Sequence, residues 1–409
     1  MPEVSRRPCG KSNTGACAKW VSLLLGTILS GGLLAGCLGL NATSEKATAT
    51  TIRIAAEGPF TGDQATIGMG ALQAVKLAVD DFNRNAGGVR VQLLIWDDRH
   101  DPNVAATQQN QGLADAGLLG IVGPMNAEVI AASAARLQNA QPPVPFITES
   151  VGDALPQASP PVAHRVGAAN AKQAALAAKF MIEQGAKRVE IIDSGTDYSK
   201  PMADAADSAL HTGQVATERS TAKRGSKDFK AIVTKLKAFQ ADWVFLADEG
   251  PEAIVLAQQM SQGGVKIGQN VQLLATDQVN DARVLRAASG ALDGAYLSQR
   301  TADPQAVSNA ASFITAFKSK YGSDSIVAAG PFYGSAYAAT QVLLQAIKAS
   351  PVRDGKISRT DVLRHLADDT FSTILGPIKF DSGGEPQKTV ITISKALGNL
   401  SVPLTAVRE

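Results

Sequence analysis

The chain has 409 residues, 45% hydrophobic and 19% charged, and its 39 basic and 37 acidic side chains give a formal net charge of +2. That near balance gives no reason to expect nucleic acid as a partner. The cysteines are Cys9, Cys17 and Cys37, so the long remainder has no thiol from which to build a disulfide.

The first predicted element is an export signal. Arg6, Arg7, Lys11 and Lys19 precede an apolar run over 21–34. A basic flank, a short apolar core and small residues before a cut define such a signal. At 14 residues the run is too short to span a bilayer comfortably. It closes on Leu34-Ala35-Gly36-Cys37, which resembles a bacterial lipobox. That likeness implies removal of residues 1–36 and a lipid on Cys37, leaving the protein outside the cytoplasm and anchored to a membrane. An ordinary signal peptide with a chance cysteine is the other reading. Arg6-Arg7 hints at twin-arginine export, but Pro8 and Cys9 stand where an apolar pair belongs. From Cys37 onward there are 35 basic and 36 acidic residues, a net charge of −1. Residues 37–51 are small and polar and read as a flexible tether.

The remaining length suggests two domains. Residues 52–56 read as a buried strand, and Leu72, Val75, Val79 and Phe82 share one helical face. Gly87-Gly88 breaks that helix, and strands follow over 89–96, 118–122 and 144–147, with a helix over 103–113. The alternation restarts at Asn170, a candidate N-cap of a helix running to Gly185. Strands over 189–192, 243–247 and 271–275 alternate with helices opened by Pro201, carried by Phe229, Ile232, Val233 and Leu236, and opened by Pro251. Alternating strands and helices indicate parallel sheets covered on both faces, an α/β chain with two lobes. The last third differs, with long helices near 313–321 and 333–349, a Gly383-Gly384 turn and a strand near 389–394. Ligands in open parallel sheets bind at the carboxyl ends of the strands. The loops there are 57–67, 123–128, 148–153, 194–200, 248–252 and 276–281.

In and around these loops the chain carries Gly58-Pro59-Phe60-Thr61-Gly62, Ile121-Val122-Gly123-Pro124 and Asp197-Tyr198-Ser199, and elsewhere Asp80-Asp81-Phe82-Asn83, Trp96-Asp97-Asp98, Asp101-Pro102, Lys227-Asp228-Phe229 and Gly376-Pro377-Ile378 with Phe380-Asp381. In their chain order they resemble the periplasmic binding proteins of ABC importers, in particular the receptors for branched-chain amino acids. The resemblance covers nearly the whole chain after the tether. It implies two Rossmann-like lobes joined by three crossovers, closing on a ligand by a hinge. The expected lobes are 52–169 with 300–378, and 170–299 with 379–409. It also implies a small-molecule ligand, an ABC permease and its ATPase subunits as partners, and no cofactor or metal.

Functional positions follow from the resemblance one by one. The loop that would hold a ligand carboxylate is Asn126-Ala127-Glu128, with Glu128 where a serine is usual. The loop after the fourth strand keeps Ser150 and has Gly152 in place of a threonine. Tyr198 matches the cleft aromatic of the second lobe, Asp277 the acid for a ligand ammonium, and Ile67 replaces an aromatic. A disulfide of some members would join positions 100 and 126, which here are His100 and Asn126. Glu128 would repel a ligand carboxylate, or else simply favour the start of a helix. Asp277 has a turn or N-cap role as its alternative, Tyr198 a packing role, and Ser150 a bond to its own loop. With Glu149 and Glu249 in neighbouring loops, the cleft is expected to be acidic and to favour an amine or amidine, with branched-chain amino acids as the alternative because Tyr198 and Asp277 are retained.

No other chemistry is indicated. His100, His164, His211 and His365 lie far apart, without zinc spacing. Gly68-Met69-Gly70 resembles the start of a dinucleotide fingerprint, but Gln73 stands at the third glycine. Asp97-Asp98 with Asp101 could suggest a metal site or an acid pair, but the resemblance implies a structural turn there instead. The expectation is a binding protein rather than an enzyme, delivering its ligand to a transporter or, as the alternative, reporting it to a signalling partner.

Overall fold

The computed structural model describes residues 50–62, 64–85, 88–149, 152, 155, 161–248 and 250–409. The expected export signal, Cys37, Gly87, Ser150 and Glu249 lie outside the described residues. The first lobe is built on β1 (Thr50–Gly58), α1 (Ala65–Arg84), β2 (Val89–Asp97), α2 (Pro102–Leu113), β3 (Leu118–Val122), α3 (Ala127–Asn139), β4 (Phe146–Thr148) and β5 (Ala163–Arg165). Its strands run parallel in the order β2-β1-β3-β4-β5. β1 begins two residues inside the segment expected to be tether. The second lobe follows with α4 (Asn170–Glu183), β6 (Arg188–Asp193), α5 (Ser199–Thr212), β7 (Ala216–Thr221), α6 (Lys230–Phe239), β8 (Trp243–Ala247), α7 (Pro251–Gln262), β9 (Gln272–Ala275), α8 (Ala282–Ala287) and β10 (Tyr296–Gln299).

The chain then returns to the first lobe as α9 (Ala311–Tyr321), α10 (Ser325–Ala328), α11 (Tyr333–Ala349), α12 (Arg359–Asp368) and the small hairpin β11 (Phe371–Thr373) and β12 (Gly376–Ile378). It ends in the second lobe as β13 (Val390–Leu397) and β14 (Leu400–Arg408). The second sheet has the order β14-β13-β10-β9-β8-β6-β7. It is not wholly parallel, because β13 runs antiparallel to both β10 and β14. A hairpin reached from the other lobe enters the edge in whichever direction its connection permits.

Local chemistry explains the boundaries. β3 and β8 are buried on both faces, so they read as continuous apolar runs. α2 starts with Pro102 at its first turn, capped by the Asp101 carboxylate, which accepts from the Asn103 N–H at 2.8 Å. Gly68 and Gly70 of α1 serve packing. A Cβ at either would lie 2.2 Å from the Pro59 carbonyl oxygen or 1.9 Å from that of Ala329. α11 is buried over most of its surface because α1, β3, β4 and α12 surround it. Each of its fully buried leucine or isoleucine side chains contributes about 1.5–3 kcal/mol. Asn170 is the first residue of α4 rather than its cap, and the helix stops at Glu183, before Gly185.

The chain crosses between lobes three times, after β5, after β10 and after β12, and the crossings are tied together. The Ala168 N–H donates to the Arg300 carbonyl at 2.8 Å, and the Arg165 N–H to that of Gly384 at 3.0 Å. The Thr392 hydroxyl donates to the Thr301 carbonyl at 2.9 Å and accepts from the Asp303 N–H at 2.8 Å.

Candidate functional site

Both sheets turn the carboxyl ends of their parallel strands toward one cleft of about 880 Å³. The first lobe lines it with Gln64, Ile67, His100, Asn126, Glu128 and Gly152. The second lines it with Tyr198, Arg224, Glu252, Ile254, Gln278, Asp281, Arg283 and Val284, with Asn170 at the crossing between the lobes.

On the first wall, the start of α3 sets the chemistry. Asn126 occupies the N-cap position, but its side chain does not cap the helix. Its Nδ2 donates to Gln64 Oε1 at 2.8 Å, and its buried Oδ1 has no partner among the described residues. Glu128 lies in the first turn, where the helix dipole favours an acid by about 0.3–1 kcal/mol. Its side chain is about half exposed and bonds His100 Nε2. That bond holds the Glu128 carboxyl below the usual glutamate range, against the opposing effect of partial burial. The two readings of Glu128 thus coincide. It sits at a helix start, and it also lines the cleft. Ile67, on the first turn of α1, adds an apolar patch beside it.

The second wall differs. Tyr198, just before α5, presents its ring to the cleft and packs against the cores of both lobes. Its hydroxyl points inward and donates to Asp277 Oδ1 at 2.8 Å. Burial, followed by the nearby Asp277 charge, drives the tyrosine pKa well upward, so the hydroxyl keeps its proton. The resemblance makes Asp277 the acid for a ligand ammonium. In the structure Asp277 is fully buried and absent from the cleft lining, and its other oxygen belongs to Arg300. Arg300 Nε and Nη2 reach Asp277 Oδ2 at 2.7 and 2.6 Å. Nη1 donates to the Ala168 carbonyl at 3.0 Å.

The remaining charges on this wall are largely matched within the chain. Arg283 pairs with Asp281 at 2.7 Å, and Glu252 accepts from the Gly225 N–H at 2.7 Å. Asp197 is exposed at the rim.

Behind the first wall lie two buried carboxyls. Glu57, the penultimate residue of β1, accepts from Gln109 Nε2 at 2.8 and 3.0 Å. Burial, partly opposed by that bond, pushes its pKa up to about 8. Burial also pushes Glu149 up to about 8, and its Oε2 has no partner among the described residues. Both are largely neutral at physiological pH, so Glu149 adds no charge to the cleft. Asp97 is structural. It accepts from the N–H groups of Phe60 and Thr61 at 2.9 and 3.0 Å and so fixes the first loop. Among the described residues, no group of three or more His, Cys, Asp and Glu is arranged to hold a metal ion.

A cleft between two α/β lobes at the strand ends defines a class of solute-binding proteins. Residues 51–392 match the model of the periplasmic binding protein family, and the chain belongs to that family. The Leu/Ile/Val-binding protein of Escherichia coli strain K12 is 25% identical over 369 residues, covering 86% of this chain and 92% of that one. A leucine-binding protein from Thermotoga maritima superposes with a TM-score of 0.72 at 22% identity, over 87% of this chain and 98% of the other. A solute-binding protein from R. palustris, solved with benzoate, gives 0.71 at 17%, over 88% and 97%. The two solved structures speak for the fold alone. Family membership implies an extracytoplasmic location. No helix of the described residues is long and apolar enough to cross a membrane.

Asn126, Glu128, Tyr198 and Ile67 are thus brought together on the cleft, and Asp277 stands one layer behind it. Arg300 went unnoticed in the sequence because it follows β10, a short strand with no alternation to mark it. His100 stood out only as a place where a cysteine is missing. Arg224 lies in a loop and Arg283 at the start of the short α8, and only the fold decides where either faces.

Proposed function

We propose that the chain is the extracytoplasmic substrate-binding component of an ABC importer. It captures an amino acid or a related small polar amine or amide between its lobes by hinge closure and hands it to the permease. The observation that carries this reading is the cleft itself, with both walls built at strand ends and the lobes joined by three bonded crossings. The relatives named for leucine, isoleucine and valine support a transport role. The unpartnered Asn126 Oδ1 supports a ligand that brings an N–H group. The lining carries four acids, Glu128, Asp197, Glu252 and Asp281, against two arginines, which supports tolerance of an amine. Cys37 at the end of the lipobox-like motif supports a lipid anchor that keeps the receptor beside its permease.

Mass spectrometry of solute released from the purified protein, followed by small-angle scattering with that solute, tests the receptor. A smaller radius of gyration on binding is expected, and no change at saturation would count against hinge closure. Palmitate labelling of wild type and Cys37→Ser tests the anchor. Label and membrane retention should both vanish in the variant, and retention of either would remove the anchor from the account.

A further inference from the structure

One carboxylate behind the cleft is already matched by a cation of the same chain. Asp277 and Arg300 have side chains 0% and 1% exposed. Arg300 contacts Asp277 Oδ2 through two nitrogens, and Tyr198 fills Oδ1. The rest of the guanidinium is held by the Ala168 carbonyl at 3.0 Å and, more loosely, by Asn170 Oδ1 at 3.4 and 3.5 Å. Asn170 Oδ1 in turn accepts from the Gly152 N–H at 3.2 Å. A buried carboxylate at a binding cleft draws a ligand's ammonium, because an unpaired buried charge is costly. Here that partner is supplied from the crossing between the lobes. Displacing it would leave a guanidinium buried without its counter-ion. A ligand ammonium entering past Tyr198 would face that guanidinium at short range.

We infer that Arg300 is a specificity-determining residue, the resident cation just behind the inner cleft, and that the end of the ligand lodged against Tyr198, Gln278 and Asn170 is uncharged, of the amide type, and carries no ammonium. This rests on the solute-receptor reading and narrows it away from α-amino acids. The rest of the lining agrees. Asn126 Oδ1 offers a buried acceptor to an amide N–H, and Ile67, Ile254 and Val284 offer apolar surface to the ligand's body. Glu128 stands at the α3 start, where a free helix N-terminus would otherwise attract a carboxylate.

Calorimetry on a matched set sharing one isobutyl body tests the inference. The set is leucine, leucinamide and 4-methylpentanamide, of which only the last lacks the α-ammonium. Wild type should bind 4-methylpentanamide roughly tenfold or more tighter than either other compound. Arg300→Met, which frees Asp277, should reduce that preference by a similar factor or reverse it. Equal or tighter binding of leucine or leucinamide to wild type overturns the inference.

If Arg300→Met does not fold, Asp277→Asn/Arg300→Met removes both charges and should discriminate less than wild type. Discrimination unchanged in a folded double variant shows that Arg300 is not its source. If wild type binds none of the three, the solute released from the purified protein decides. An α-amino group in it, or the lack of any amide-type end, overturns the inference, and an amide-type end without an ammonium upholds it. A protein that binds no probe and releases no solute sinks the receptor reading itself, and the inference with it.

Discussion

Each wall of the cleft holds an acid with a basic partner, and the pairs live in different media. Glu128 and His100 meet at the surface, with the glutamate about half exposed. Asp277 and Arg300 meet where water is absent. In a wet site an ion pair is screened and contributes at most about 1 kcal/mol. In a dry one the pair itself adds little net stability, yet losing one member is severe. A ligand can therefore renegotiate the first pair but not the second. The first wall is the adjustable one, and the second is a fixed template fastened to the crossings between the lobes.

The largest effect should come from breaking the dry pair. Arg300→Met should destabilise the protein by about 3–5 kcal/mol, because it strands a buried carboxylate. Asp277→Asn/Arg300→Met should recover much of that loss. Urea unfolding of the single and double variants measures the difference. A single variant within about 1 kcal/mol of wild type would mean that the pair is hydrated after all.

A second measurement asks how dry the first lobe is behind its wet pair. Burial pushes the folded-state Glu57 carboxyl up to about 8, against 4.5 for a free glutamate. Its folded-state pKa is raised, so its contribution is complete below about pH 4.5 and is lost as pH rises to about 8. Glu57→Gln should match wild type near pH 5 and exceed it in stability, by on the order of a few kcal/mol, at pH 8 and above. Thermal unfolding of both proteins across that range gives the sign directly. A difference independent of pH would show that Glu57 ionises normally.

The smallest effect belongs to the wet pair. Glu128→Gln should change stability by no more than about 1 kcal/mol. If the first wall is adjustable, its consequence should appear in ligand affinity rather than in unfolding. Unfolding and calorimetry on one preparation would separate the two. A stability loss as large as that of Arg300→Met would erase the distinction between the walls.

The fold was legible wherever apolar periodicity was strong. β3, β8 and α11 stand where their patterns place them, because burial on every side leaves little freedom in how such segments are written. β5, β7 and β10 left little trace, being three to six residues long, and β14 has an exposed face and carries Pro403. The site was legible as loops but not as partners. Tyr198, Asp277 and Arg300 are spread over a hundred residues and meet only through the β6–β8, β8–β9 and β9–β10 pairings, a long-range fact. The acidity expected of the cleft also weakens, since Asp277 is matched internally and Glu149 is largely protonated.

The position of α11 has a consequence for how the chain can fold. This helix fills one face of the first sheet, against α1, β3 and β4, yet it is made only after the second-lobe segment from α4 to β10. The N-terminal sheet must therefore wait, with an apolar face open, for a segment more than two hundred residues downstream of β3. Contacts of such long sequence separation close slowly and leave hydrophobic surface exposed in the interval. A chain stopped before Tyr333 would have its first five strands but not the helix that covers them, and it should aggregate rather than form an independent lobe.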